Sequence, residues 1–295
     1  MVAETALGRD VEKSGQPSLG GACEGSTVVG LRVFVYMLLG IVATELLAAP
    51  FLAVFASKPE LKEEVGQAFM PAGNVSALDA LLNSLWLIGL VLVETTLLYL
   101  VFKYGRRFLR QLLLAVSAIP LVSITWLLLS LMPVPSCLVL ISVGGLIVSV
   151  AVLVPRSHLY SGLLTVVMSA EISALLGYVL TPPTLFVLPL ALSLYDVCTV
   201  LKGPLGAIAS DLEPRDFGLL MFRVGERGLG AGDLVFYSIM TTAGLRMKGP
   251  LGALIVAAAV NLGAAATFTI LRRYERPLPA LPISMVLGVA ALYLL

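Results

Sequence analysis

The sequence predicts an all-α membrane protein with nine transmembrane helices. Of its 295 residues, 59% are hydrophobic and 13% are charged, and the mean hydropathy is +1.00. Soluble domains carry roughly a quarter charged residues, so the composition excludes that class. The apolar residues also occur in long runs, and one helical span needs about 20 of them. A net charge of +1 gives no reason to expect nucleic-acid binding.

Nine apolar segments follow a polar tail, residues 1–28. The tail lacks a basic start followed by a short apolar stretch, so we expect disorder rather than a cleaved signal peptide. The predicted spans are 31–56, 80–102, 109–132, 137–155, 159–180, 183–202, 229–246, 249–271 and 277–295. Spans one to six (29–202), a cytosolic loop (203–228) and spans seven to nine (229–295) are taken as one membrane domain.

The distribution of lysine and arginine predicts the orientation. With nine spans, fifteen of the 19 lysines and arginines lie on one side and four on the other. Positive residues concentrate in cytosolic loops. The N-terminus is therefore predicted to be cytosolic and the C-terminus extracytosolic. The outer connection 57–79 contains KPELKEEVGQAF, which predicts a short amphipathic helix.

Five carboxylates fall inside predicted spans, where a charged side chain costs roughly 2.5–3.5 kcal/mol or more. They are Glu45, Glu94, Glu171, Asp196 and Asp233. For each glutamate alone, the simplest interpretation is a satisfied contact between helices or a position facing a cavity. The two aspartates differ because their depths agree. Asp196 precedes Lys202 by six residues and Asp233 follows Arg227 by six, so both lie about 9 Å inside the same predicted face.

Two carboxylates that meet in a poorly solvated site share a proton and titrate as a pair. Such a pair suits hydrolysis, because one carboxylate takes a proton from water while the other donates to the carbonyl oxygen. Intramembrane acids also relay charge in proton- or cation-coupled transporters. Depth alone does not separate these two functions.

Small residues and prolines stand beside the predicted pair. In GLGAGD, Gly230 and Gly232 flank Ala231 and remove side-chain bulk next to Asp233, which predicts close approach of a neighbouring backbone. The segment PLPALP, 277–282, begins the ninth span on the same predicted side. Its prolines favour broken backbone, and broken backbone at membrane depth is tolerated only where protein or a cavity covers it.

These residues resemble the presenilin and signal peptide peptidase family of intramembrane aspartyl proteases. The matching motifs are Tyr195–Asp196, Gly230-x-Gly232–Asp233 and Pro279–Ala280–Leu281. The strings YDVCTVLKGPL and GLGAGDLVFYS, and the predicted orientation, are closer to presenilin. The resemblance implies a presenilin-like fold with Asp196 and Asp233 as the catalytic residues. It implies substrate-binding or supporting roles for Tyr195, Gly230, Gly232, Pro279, Ala280 and Leu281.

The resemblance also implies partners and location. Substrates would be transmembrane helices cleaved within the bilayer, and an unwound substrate would need new backbone partners, for which MFRVGERG, 221–228, and the Pro279–Leu281 segment are candidate edges. The loop between the aspartates, 203–228, is short where presenilins carry a long loop that is cut during maturation. This compactness is similar to an archaeal homologue, which implies an intact chain in the cell membrane without accessory subunits; a homo-oligomer is left open. Ala231 stands where presenilins usually carry leucine.

Other functions remain as alternatives. An ion channel or ion-coupled transporter would use the same intramembrane acids, including the three glutamates. A prepilin-type peptidase shares the G-x-G-D motif but lacks the Y-D string and the Pro-Ala-Leu segment. A zinc protease of the H-E-x-x-H type is excluded because His158 is the only histidine, and the three cysteines lack metal-binding spacing. No metal or cofactor is expected.

Overall fold

The structure is a computed structural model that is almost entirely helical. It describes residues 21–72, 76–104, 106–202, 218–224, 227–274 and 279–295. Most of the predicted tail, most of loop 203–228 and the first two residues of PLPALP lie outside the described residues. The helices are α1 Gly21–Ala56, α2 Pro59–Phe69, α3 Ala77–Tyr104, α4 Arg106–Leu131, α5 Ser136–Leu153, α6 His158–Val179, α7 Pro182–Lys202, α8 Ala231–Tyr274 and α9 Leu281–Leu294. Strands β1 Met221–Val224 and β2 Arg227–Gly230 form an antiparallel hairpin between α7 and α8.

Six of these helices are long and apolar enough to cross a membrane. The predicted spans coincide with α1 and with α3 to α9. The amphipathic helix predicted in the outer connection is α2. Two predicted spans, 229–246 and 249–271, belong to the single helix α8. Two of the apolar helices, α7 and α9, are shorter. A mostly helical fold is therefore confirmed, with one β-hairpin that the class did not include, whereas the count of nine spans and their orientation stay predictions.

Helix α8 is bent at Gly249. This residue has φ 73° and ψ −167°, a conformation that only glycine adopts without strain, and Pro250 follows it. Proline has no N–H to continue the helical ladder and its ring clashes with the preceding turn. The break divides α8 into a first arm, 231–248, and a second arm, 250–274. The sequence predicted a loop here, and the structure has a kink.

The helix α6 lies at the centre of the protein. In an apolar stretch of 18 residues of this helix, 78% of the residues are buried, whereas the same stretch of each other long helix has 39% or fewer buried. It packs on the first arm of α8 through small residues and hydroxyl groups. The side chain of Thr242 occupies the space beside Gly177, and the Ser173 and Ser238 hydroxyls lie 3.0 Å apart. Hydroxyl pairs and small residues replace the hydrophobic effect as the source of helix association in lipid.

The second arm of α8 packs against α9 just as closely. A Cβ atom at Gly263 would lie 2.5 Å from Cα of Ser284, so the two backbones touch here. Farther along α9, a Cβ at Gly288 would lie 2.8 Å from the side chain of Val260. These contacts hold α9, which begins at Leu281, against the second arm.

We predict that Gly263→Ala destabilises the protein by about 1–3 kcal/mol, the usual result of overpacking. The added methyl group would meet the backbone of Ser284, which has no rotamer to move away. The measurement is thermal unfolding in detergent. The matched control is Gly144→Ala, since a Cβ at Gly144 meets no atom within 4 Å. Equal unfolding temperatures for the two variants would contradict the contact.

Candidate active site

The structure brings the two predicted aspartates together. Asp196 lies on α7 and Asp233 is the third residue of α8. Both are half-buried, and their carboxyl groups are close enough to interact electrostatically. Helices α7 and α8 therefore meet at the two aspartates whose predicted depths in the membrane agree.

The beginning of α9 contacts the first of these acids. The backbone N–H of Leu281 donates to Oδ2 of Asp196 at 3.2 Å, and the backbone of Ala280 interacts with the same carboxyl group. Leu281 is the first residue of α9, and Pro282 follows it. The first amides of a helix have no partner inside the helix and carry the positive end of its dipole, so they favour a carboxylate. Within Pro279–Leu281, therefore, the backbone makes the contact with the acid.

Tyr237 is a residue of this site that the sequence analysis missed. It lies one helical turn after Asp233 and is fully buried, with 0% of its surface exposed. Its hydroxyl donates to the carbonyl oxygen of Ala280 at 2.9 Å and lies near the carboxyl groups of both aspartates. The sequence does contain a feature that indicates this role: Tyr237 follows Asp233 by four residues, which places both side chains on one face of the helix.

The two glycines of the G-x-G-D motif have different surroundings. A Cβ at Gly230 would lie 3.2 Å from Oδ2 of Asp233, and the backbone of Gly230 hydrogen-bonds to that carboxyl group. The group that comes close to Gly230 is thus the side chain of Asp233, and not the neighbouring backbone that the sequence predicted. At Gly232, which is exposed, a Cβ would meet no described atom within 4 Å, so the close approach expected there is absent. Gly232 instead borders open space beside Asp233.

The other predicted residues lie at the edges of the pair. The hydroxyl of Tyr195 lies 3.4 Å from Oγ1 of Thr95, so this side chain links α7 to α3. Pro279 is half-buried and precedes the helix. Among the described residues, no group of three His, Cys, Asp or Glu side chains could hold a metal ion.

The hairpin positions the start of α8. Met221 pairs with Gly230 and Val224 with Arg227, and β2 continues directly into the helix that carries Asp233. The ring of Phe222 fits between α1 and α6, where a Cβ at Gly40 would come within 2.6 Å of it. The turn before β1 is fixed by α6, because the hydroxyl of Thr165 donates to the carbonyl oxygen of Leu219 at 3.0 Å.

The three glutamates lie elsewhere. Glu45 is buried and accepts hydrogen bonds from Thr241 and Asn261. Glu171 is buried and accepts from Thr125 at 2.8 Å, whereas Glu94 is exposed on α3. The two buried glutamates therefore have the contacts between helices expected of them.

The comparisons agree with the resemblance. A sequence model of the family described as Presenilin matches residues 225–295. Two solved structures of a presenilin family intramembrane aspartate protease are similar to this chain. The one in space group C222 has a TM-score of 0.63 at 18% identity, covering 88% of this chain and 97% of that chain. The one in space group P2 has a TM-score of 0.57 at 20% identity, covering 88% and 95%. No curated protein sequence matches.

We predict that Tyr237→Phe loosens the Pro279–Leu281 segment while the fold is kept. The variant loses the hydroxyl that holds Ala280 O, and a neutral hydrogen bond contributes about 1 kcal/mol. The backbone amides of Ala280 and Leu281 should exchange hydrogen roughly five-fold faster, measured by mass spectrometry. The control is Tyr293→Phe, because Tyr293 is 78% exposed. Unchanged exchange in Tyr237→Phe would show that this contact does not hold the segment.

Proposed function

We propose that this chain, a presenilin-family membrane protein, is an intramembrane aspartyl protease. It hydrolyses peptide bonds within the transmembrane segments of membrane proteins, using Asp196, Asp233 and a water molecule. The observation that carries the proposal is the interaction of the two carboxyl groups across α7 and α8, next to the first amide of α9. The family match and the fold support the same activity.

The proposed chemistry is that of a carboxylate pair with one shared proton. One carboxylate removes a proton from the attacking water, and the other donates a proton to the carbonyl oxygen of the scissile bond. Tyr237 holds the carbonyl oxygen of Ala280, so that the amide of Leu281 stays on Asp196. Tyr237 is in this view a positioning residue for the pair. The half-burial of both aspartates leaves room for water and substrate.

The hairpin supports the proposed route for a substrate. A helical substrate hides its peptide bonds in its own hydrogen-bond ladder, and the unwound form needs new partners inside the membrane. Strands β1 and β2 pair with each other, and the described residues add no third strand to this sheet. We infer that the unwound substrate adds to an outer edge of the hairpin. Because β2 ends at Gly230, such a strand would lead toward Asp233.

The proposal includes a topology of nine spans with a cytosolic N-terminus. The two arms of α8 count as two spans, since 44 residues of helix are about 66 Å long and the bilayer core is about 30 Å thick. With α7 and α9 this gives nine. Cysteines placed near either end of the chain and labelled by impermeant reagents would test the orientation. The domain boundaries, the independence from accessory subunits, the cell-membrane location and any homo-oligomer remain predictions.

An ion channel or ion-coupled transporter is not favoured. That function needs the glutamates as well as the aspartates, yet Glu94 is exposed and each buried glutamate is bound by its own neighbours. A prepilin-type peptidase is not favoured because the family match runs from 225 to 295 and includes Pro279–Leu281.

We predict that Asp196→Asn and Asp233→Asn each reduce cleavage of a reporter transmembrane segment in liposomes by roughly 10³-fold or more. Asparagine keeps the shape and can still accept the N–H of Leu281, but it cannot exchange a proton with water or substrate. Products are identified by mass spectrometry. The control is Glu94→Gln, which should cleave at the normal rate because Glu94 is exposed and apart from the pair. Full activity in either aspartate variant would refute the assignment.

We predict that Gly232→Leu lowers the rate of cleavage at least ten-fold without lowering thermal stability. The side chain would project into the open space beside Asp233, where it displaces substrate rather than protein atoms. Gly145→Leu on α5 is the matched control, since Gly145 is exposed and also has no atom within 4 Å of its Cβ position. Normal cleavage in Gly232→Leu would show that substrate does not use this space.

A further inference from the structure

A groove of about 440 Å³ lies between α1 and both arms of α8. We refer to it as the α1–α8 groove. It falls within the usual volume range of small-molecule sites, about 300–1,000 Å³. The residues that line it are Val42, Glu45, Leu46, Ala49, Thr241, Thr242, Leu245, Pro250, Ala253, Leu254, Ala257, Ala258 and Asn261. None of these lining residues is a lysine or an arginine.

The floor of the groove is polar. Oε1 of Glu45 accepts the hydroxyl of Thr241 at 2.9 Å, and Oε2 accepts Nδ2 of Asn261 at 2.8 Å. The same Nδ2 donates to the carbonyl oxygen of Ala257 at 2.8 Å. Because both groups bound by the amide nitrogen are acceptors, the amide is oriented with Nδ2 toward Glu45. The amide oxygen of Asn261 cannot take that position without repulsion.

This floor has more acceptors than donors. The amide oxygen Oδ1 of Asn261 is buried and has no hydrogen-bond partner among the described residues. A carboxylate also has about four acceptor positions, and Glu45 accepts hydrogen bonds from Thr241 and Asn261. A buried acceptor without a partner lowers the stability of the fold. A charged carboxylate at membrane depth costs more unless a positive group accompanies it. A hydrogen-bond donor that reaches Glu45 from the groove, above all a cationic one, would therefore stabilise this floor.

The mouth of the groove is apolar. Leu46 and Leu254 at its edge are 70% and 67% exposed, whereas Glu45 is 6% exposed. Glu45 also lies near the middle of the apolar segment Arg32–Ala56. An occupant consequently enters from the hydrocarbon side, with an apolar body and one polar end.

We propose that the α1–α8 groove binds a long-chain primary amine from the membrane. Its ammonium group would lie against the carboxylate of Glu45, supplying up to three N–H donors and a positive charge. Its alkyl chain would lie along the apolar wall and leave between Leu46 and Leu254.

The site is separate from the aspartate pair. Thr241 is eight residues from Asp233 on the first arm of α8, which is about 12 Å along the helix axis. The groove also includes residues of the second arm, which packs against α9. An occupant thus contacts both arms of the helix without contacting either catalytic candidate. Binding can be measured independently of proteolysis.

The experiment uses a diazirine-bearing hexadecylamine in liposomes that contain the full chain. After irradiation, labelled peptides are mapped by mass spectrometry. We expect labelling on α1 near Leu46 and on α8 near Leu254, with at least ten-fold less labelling by the diazirine-bearing hexadecanol of equal length. Glu45→Gln keeps the shape of the floor but removes the charge, and should reduce labelling by the amine at least ten-fold. Equal labelling by amine and alcohol, or undiminished labelling of Glu45→Gln, would overturn the proposal.

A second pair of variants tests the groove without altering its floor. Ala258→Phe adds bulk at an exposed lining position and should reduce labelling, while Ala290→Phe adds the same bulk on the exposed surface of α9 and should not. Thermal unfolding in detergent checks that each variant is folded. The inactive variant Asp233→Asn should label like the unmodified chain. Labelling that survives in Ala258→Phe would also overturn the proposal, whatever the result of the cleavage assays.

Discussion

The hydrogen bond from the first amide of α9 to Asp196 is the contact on which the site depends. It joins α7 to α9, two of the shorter apolar helices, at a distance of 3.2 Å. Helix α9 is in turn held against the second arm of α8 by the backbone contact between Gly263 and Ser284. The first arm of the same helix begins with Asp233. Three elements are thereby closed around one pair of carboxyl groups.

This closure requires that α8 be bent. Its first arm packs on the central helix α6, and its second arm packs along α9, which also contacts the first arm at Met240. Gly249 allows the turn because it alone has the required backbone freedom there, and Pro250 prevents the helix from continuing straight. The bend also opens the space between the arms and α1 that forms the α1–α8 groove.

The sequence predicted the helices well because long apolar runs are a local signal, and it predicted the aspartates because their depths agreed. It did not predict features that depend on contacts between distant segments. Tyr237 is part of the site only because Ala280, which is 43 residues away, lies beside it. The neighbouring backbone expected beside the two glycines is not found among the described residues, where Gly230 contacts the side chain of Asp233 and a Cβ at Gly232 would meet no atom. The prolines of PLPALP predicted broken backbone, which Pro279 and Ala280 have, but proline composition does not show which amide contacts Asp196.

The acids of this protein differ in the kind of partner that holds them. Glu45 and Glu171 are almost fully buried and are bound by hydroxyl and amide side chains of neighbouring helices, which suits a fixed contact. Asp196 is half-buried and is bound by a backbone amide at a helix end, a donor that stays when side chains change. A backbone donor holds the carboxyl group without depending on the rotamer of a partner side chain. The same contrast explains why the aspartates suit proton transfer, whereas Glu45 suits the binding of a positive group.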